Sequence, residues 1–239
     1  MPNKTNSTGP AVAEMYAGQI RLLGPRNSPS GIFKRIAPAP WEITKTGLAG
    51  DHQGDLEHHG GEEKALHHYP REHYASFSAD YENLASSLEK APAFGENIST
   101  IGMTENDVCV GDIYRLGTAV LQVSQGRQPC WKLNAKFQIP DMAVSVQKTG
   151  RTGWYYRVLE TGTVMPGNAF LITERSRPDW PLARLIRLIY SRSLARDDLA
   201  EVANMHDLAQ SWRDLAARRL QSSRIEDWQG RLSGTEDAS

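Results

Sequence analysis

Cys130 has the most reactive setting of any residue in this 239-residue chain. Arg127 precedes it and Lys132 follows it, within the run Gly126-Arg127-Gln128-Pro129-Cys130-Trp131-Lys132. A thiol flanked by two cations is pushed toward thiolate, the form that attacks electrophiles and binds metals. The other cysteine, Cys109, lies between Val108 and Val110 in an apolar, strand-like run and reads as a small core residue. Two cysteines cannot build a disulfide framework, and a reducing compartment would keep both as thiols. Five of the seven histidines fall between His58 and His73. A zinc site or simply solvated imidazoles would account for such a cluster. Neither a His-Glu-x-x-His nor a Cys-x-x-Cys accompanies it, and the adjacent pairs His58-His59 and His67-His68 would each give at most one ligand.

Weaker signals surround these. Gly60-Gly61 stands before Glu62-Glu63-Lys64-Ala65-Leu66, which reads as a helix start, and a Gly-Gly turn there leaves backbone N–H groups for an anion. Asn97, Ser99 and Thr100 follow the Phe94-Gly95-Glu96 turn. They can donate to and accept from a polar heterocycle, or simply cap and turn the chain. Ser124 leads from a strand into the cysteine loop, where Arg127 would clamp a phosphate bidentately or form a surface salt bridge. The chain carries no Gly-x-Ser-x-Gly elbow, P-loop or dinucleotide fingerprint.

The elements that must position these residues are mostly strands. Residues 1–15 read as a disordered tail, and residues 16–176 as a β-rich domain. Alternation over Gln19–Leu22, Ile32–Ile36 and Trp41–Thr46 predicts short strands. Asp112–Leu116 and Ala119–Ser124, joined by Gly117-Thr118, predict a hairpin, and Trp154–Glu160 and Ala169–Glu174 the last strands. Pro70 suits the first turn of a helix running through Tyr74 and Phe77 to about Leu88. Beyond Pro178 the texture turns helical. Leu182, Leu185, Ile186 and Ile189 make an i, i+3, i+4, i+7 stripe, and Asp197 or Asp198 and then Asp207 could cap two further helices. Residues 178–222 thus read as a three-helix extension, and 223–239 as a fraying tail.

Composition narrows the partners. With 39% hydrophobic residues the chain can fill one sizeable core, and 27 basic against 28 acidic side chains leave a net charge of −1. That balance gives no electrostatic reason to expect a nucleic acid polymer or an anionic membrane. No apolar run approaches the ~20 residues that span a bilayer. The polar first ten residues lack the apolar stretch of a secretory signal, so a soluble, cytoplasmic protein is expected.

Several ordered stretches together resemble the MOSC family (the molybdenum cofactor sulfurase C-terminal domain), in its bacterial YiiM-type branch. They are GLAGD at 47–51, HHGGEEKALHHYPREHY at 58–74, APAFGENIST at 91–100, VGDIYRLG at 110–117, VSQGRQPCWKLN at 123–134 and TGRTGWYYRV at 149–158. One departure is Gly126, where members often carry proline before the arginine. The resemblance implies a mainly β fold with α elements: a MOSC-type β-barrel core with inserted helices and a small C-terminal three-helix extension. It also implies a molybdenum cofactor (molybdopterin), with Cys130 as the metal ligand and a catalytic residue. His59, Gly60, Gly61, Asn97, Ser99, Ser124, Arg127 and Lys132 would cradle the pterin and its phosphate. His68 would relay a proton, since an imidazole titrates near neutrality. The implied activity is that of an oxidoreductase in detoxification: two-electron reduction of N-hydroxylated purine bases, amidoximes or hydroxamic acids to the N–H form. No iron–sulfur cysteine set or flavin fingerprint is present. Electrons would therefore come from a separate reductase, a flavoprotein or a ferredoxin-like carrier. A homodimer stays open. Two other classes remain beside this one: a sulfur-carrier module holding a persulfide on Cys130, and a zinc hydrolase built on the histidine cluster.

Overall fold

The computed structural model describes residues 8–54 and 60–234. Its main sheet has seven strands, in chain order β1 (Thr8–Ala11), β2 (Leu66–Pro70), β3 (Ile98–Thr100), β4 (Ile113–Leu116), β5 (Ala119–Gly126), β6 (Trp154–Glu160) and β7 (Ala169–Glu174). They are ordered β1-β7-β4-β5-β6-β2-β3 across the sheet. All pairs are antiparallel except β2–β3. The sheet curls into a nearly closed barrel, and smaller two- and three-stranded ribbons complete its wall.

Inward residues alternate as a half-buried strand requires: on β6, Trp154, Tyr156 and Val158 are buried while Tyr155 and Arg157 are less so. Trp154, Tyr156 and Phe170 are fully covered. Each removes about 150–250 Å² from water, worth up to roughly 4–6 kcal/mol apiece at ~25 cal/mol per Å². The expected hairpin is present, with β4 and β5 in register from Leu116↔Ala119 to Ile113↔Gln122. Gly117 turns it at φ 59°, and a Cβ there would meet the Thr163 carbonyl at 2.3 Å.

The segment after Gly61 departs from expectation. Glu62–Lys64 is a single 3-10 turn, and Leu66–Pro70 is strand β2, buried at all five positions. Leu66, His67 and His68 pair with Tyr156, Tyr155 and Trp154 on one side, while His68, Tyr69 and Pro70 pair in parallel with β3 on the other. Helix α1 (Glu72–Asp80) starts after Pro70 and gives way to 3-10 turns before Leu88. Two short helices in the inserted part, α2 (Lys132–Phe137) and α3 (Met142–Thr149), carry no clear sequence signal.

Three helices follow the barrel: α4 (Leu182–Tyr190), α5 (Arg196–Ala203) and α6 (Gln210–Ser222). The stripe on α4 is buried as its spacing requires. Asp197 and Asp198 lie in the first turn of α5, whose N-cap is Ala195; α6 is preceded by Ala209, and Asp207 pairs with Arg177 instead. Backbone bonds from Val110 N to Trp180 O and from Ala209 N to Ser124 O stitch these helices to the barrel. Gly126 lies at this seam. A Cβ there would come within 3.1 Å of Ile186 and 3.2 Å of Trp212. The departure from proline therefore coincides with close packing against α4 and α6.

Both expected tails are partly ordered. Residues 8–11 pair with β7, and Val12 and Met15 are fully buried. At the other end α7 (Gln229–Ser233) lies against the cysteine loop, with Leu232 buried and Trp131 N donating to Arg231 O at 2.9 Å. The rest of those tails, 1–7 and 235–239, lies outside the described residues.

Candidate functional site

A small cleft of about 80 Å³ opens where the cysteine loop meets residues 30–34 and 51–54. Its lining brings together Cys130, Arg127, Lys132 and Asn97 with Lys34, Lys64, Asp51, His67 and Tyr155. Among the described residues the lining carries four cations and one carboxylate, with Lys34 paired to Asp51, a balance that suits an anion.

Strand β5 delivers the loop. Arg127 N donates to Gly153 O at 3.0 Å, its Nη1 donates to Phe94 O at 2.7 Å, and the side chain is buried. Four of its five N–H donors remain after that bond. Leu133 N donates to Cys130 O at 2.9 Å, which starts α2. Cys130 is buried at 8% exposure in the cleft wall. Lys132 Nζ donates to Pro29 O at 3.1 Å.

Asp51 organises the opposite wall. It accepts from Lys34 Nζ at 2.5 Å through each oxygen, from Gly18 N at 2.7 Å and from Asn97 Nδ2 at 2.8 Å. Burial holds the Lys34 ammonium below its ordinary value, with Asp51 opposing the shift. Asn97 lines the cleft but its amide is spent: Nδ2 also donates to Tyr16 O, and Oδ1 accepts from His67 N at 3.0 Å. It positions β2, β3 and Asp51 rather than offering a free edge to a heterocycle.

His67 is the buried imidazole at the cleft, which the exposed His52 also lines. His67 is 3% exposed and packs 5.0 Å from Tyr155 with the rings tilted by 35°. Burial, then the Arg127 charge, push it well below the ordinary histidine value, so it is neutral. The ring lies against the Thr152–Gly153 backbone, and a backbone hydrogen bond at Thr152 partly offsets that shift.

His68 faces the other way. It is fully buried between Trp154 and Phe170, bonds Thr100 Oγ1 at 2.8 Å and Tyr156 OH at 3.1 Å, and burial pushes it to about 3. The expected proton relay at His68 is thus corrected, because consecutive strand residues point to opposite faces. Ser99 Oγ donates to Tyr69 O, and Ser124 Oγ to Glu63 O and Tyr155 O. Both hold backbone together and neither lines the cleft. Gly60 and Gly61 do not line it either; they precede a 3-10 turn whose Lys64 does. His59, with His58, lies outside the described residues. His73 pairs with Glu105 at 2.7 Å, away from His67. Among the described residues no group of three His, Cys, Asp or Glu side chains is placed to hold a metal.

Sequence reasoning missed Lys34, Asp51, Lys64, His67 and Tyr155. Asp51, Lys64, His67 and Tyr155 all fall in stretches already singled out, at 47–51, 58–74 and 149–158, and only Lys34 carried no signal.

A mainly β barrel with a cationic, thiol-bearing cleft and a stitched-on helical trio defines the class. Residues 55–170 match the MOSC domain, and residues 180–223 match the YiiM-like 3-alpha helix domain. The chain belongs to the MOSC family, in its YiiM-like branch. It is 38% identical to Protein YiiM of Escherichia coli (strain K12), over 92% of this chain and 97% of that protein. The crystal structure of YiiM from Escherichia coli superposes with a TM-score of 0.76 at 34% identity, covering 91% of this chain and 98% of that one. A protein of Gibberella moniliformis named Reductase is 36% identical over 88% of this chain, yet the match spans only 37% of that longer protein. MOSC domains are associated in general with molybdenum-cofactor binding. No helix among the described residues is long and apolar enough to cross a membrane.

Proposed function

We propose that this protein is a molybdenum-cofactor-dependent reductase that converts N-hydroxylated compounds to their N–H forms. The supporting observation is the convergence of Cys130 with Arg127, Lys132 and Lys34 in one cleft beside the neutral His67. These residues suit such a group. A soft thiolate matches a thiophilic metal, and the cations match a phosphate. When bound, the cofactor supplies two-electron redox chemistry at its metal.

The chain's own residues do the rest. Cys130 holds the metal through its thiolate. Arg127 and Lys132, each with donors left over after one backbone bond, hold the phosphate. The neutral His67 ring lines the cleft beside them. Asp51 keeps Lys34 in place and spares the cleft an unpaired buried cation. The net reaction is R–NHOH + 2 e⁻ + 2 H⁺ → R–NH₂ + H₂O. The substrate class is purine N-hydroxylamines, amidoximes and hydroxamic acids, and the electrons come from a separate carrier.

The test is turnover of an N-hydroxylated purine base by protein made in a host competent for cofactor synthesis, with reduced methyl viologen as donor. Wild type should release the amine, and Cys130→Ala should lose activity by about 100-fold or more, the scale of removing a group essential to the chemical step. Equal turnover by the two proteins would refute the assignment of Cys130.

A further inference from the structure

A second depression lies between α3, α4 and the segment leading into α7. It encloses about 840 Å³, and the charge of its lining rather than its size selects the occupant. Lys148, Arg151, Arg187 and Arg192 line it. Lys148, Arg187 and Arg192 are exposed. The one carboxylate among the described lining residues, Glu105, is buried and engaged by His73 and the Gly153 amide. Tyr190 and Trp228 form half-buried aromatic ground, 6.1 Å apart. A chain of net charge −1 thus gathers cations on one groove. Such a patch steers and holds an acidic partner.

This groove backs onto the cysteine loop. Tyr190 OH donates to Arg127 O at 3.0 Å, three residues from Cys130. Arg231, beside Leu232 in the groove, donates to Pro129 O and, at 2.6 Å, to Gln147 Oε1. One face of the loop therefore looks into the cleft while its carbonyls are held from the groove side.

We infer that this groove docks a small acidic one-electron carrier protein, which delivers electrons to the Cys130 site through Tyr190 and the Arg127 carbonyl. The inference rests on the reductase reading. Two carriers, each oxidised by one electron, supply the two electrons of R–NHOH + 2 e⁻ + 2 H⁺ → R–NH₂ + H₂O, and solvent supplies the protons.

The test uses the full-length, cofactor-loaded protein, an acidic plant-type [2Fe–2S] ferredoxin as probe, and the double reversal Lys148→Glu/Arg187→Glu beside the neutral pair Lys148→Gln/Arg187→Gln. Titration with oxidised ferredoxin at low salt should show wild-type binding, weakened about 10-fold or more in the reversal and less in the neutral pair. The wild-type affinity should fall as salt rises. Ferredoxin-driven turnover should drop in the same order while viologen-driven turnover stays unchanged. Ferredoxin that fails to bind wild type, or binds all three proteins equally, overturns the inference. So do reversals that convert a dimer to a monomer, because the groove then belongs to a second copy. Absence of viologen-driven turnover in wild type overturns the reductase reading itself, and the binding titration separates the two failures.

Discussion

The sealed interior and the cleft each hold one buried thiol and one buried imidazole, and they treat them oppositely. On the sealed side, Cys109 is 3% exposed, bridged to Pro181, with its N–H on Asp112 Oδ2 at 2.9 Å. Burial first, then the Asp112 charge, push its thiol up to about 11. His68 is its counterpart, closed in by aromatic rings and fully hydrogen-bonded. In the cleft, Cys130 and His67 are nearly as buried, yet their neighbours are Arg127, Lys132 and Lys34. Burial alone does not separate an inert group from a working one. The sign of the surrounding charge does.

Alkylation should show the largest contrast. With its thiol near 11, Cys109 exposes only about one part in a thousand as thiolate at pH 8. Iodoacetamide on cofactor-free protein, followed by peptide mass spectrometry, should label Cys130 at least ~100-fold faster. Equal labelling would erase the distinction between the two sites.

The histidines give the next contrast. His68 falls from 6.5 in the unfolded chain to about 3 in the folded one, so the unfolded state binds more protons between those values. Its contribution is complete above pH 6.5 and is lost as pH falls toward 3, at up to ~1.4 kcal/mol per pH unit. Urea midpoints from pH 7 to pH 4 should therefore decline, and less steeply in His68→Leu, whatever that variant costs at pH 7. An unchanged slope would show that His68 is not held neutral by the core.

The seam between barrel and helices should respond least. Gly126→Val pushes against Ile186 and Trp212 and should cost about 1–3 kcal/mol by overpacking, read from chemical denaturation. Because Arg127 and Cys130 follow directly, alkylation of Cys130 in this variant sharpens the picture: it should stay fast if the loop is held from the groove by Tyr190 and Arg231.

Much of this contrast was legible in local sequence, and the rest depended on distant partners. The Ile113–Gly126 hairpin, the closing strands and the α4 stripe follow from alternation, a Gly-Thr turn and helical spacing. Cys130 and Arg127 stood out by their neighbours alone. Strand β2 did not, because Glu-Glu-Lys-Ala-Leu favours a helix locally. Its pairing with β6 and β3 comes from far along the chain and outweighs that propensity. The resemblance pointed to His68 as a proton relay, whereas on strand β2 His67 and His68 point to opposite faces and His67 is the one at the cleft. Asp51 acquires its role from Lys34 and Asn97, which no local pattern links. Thr8–Ala11 looked like a tail because a short polar strand has no signature without its partner β7.

The central claim is that Cys130, and not Cys109, holds the metal. The direct test is molybdenum analysis of wild type, Cys130→Ala and Cys109→Ala, all made in a host competent for cofactor synthesis. The account predicts molybdenum close to one equivalent in wild type and Cys109→Ala, and its loss from a folded Cys130→Ala. Molybdenum retained by Cys130→Ala, or absent from all three despite an intact cofactor supply, would contradict it.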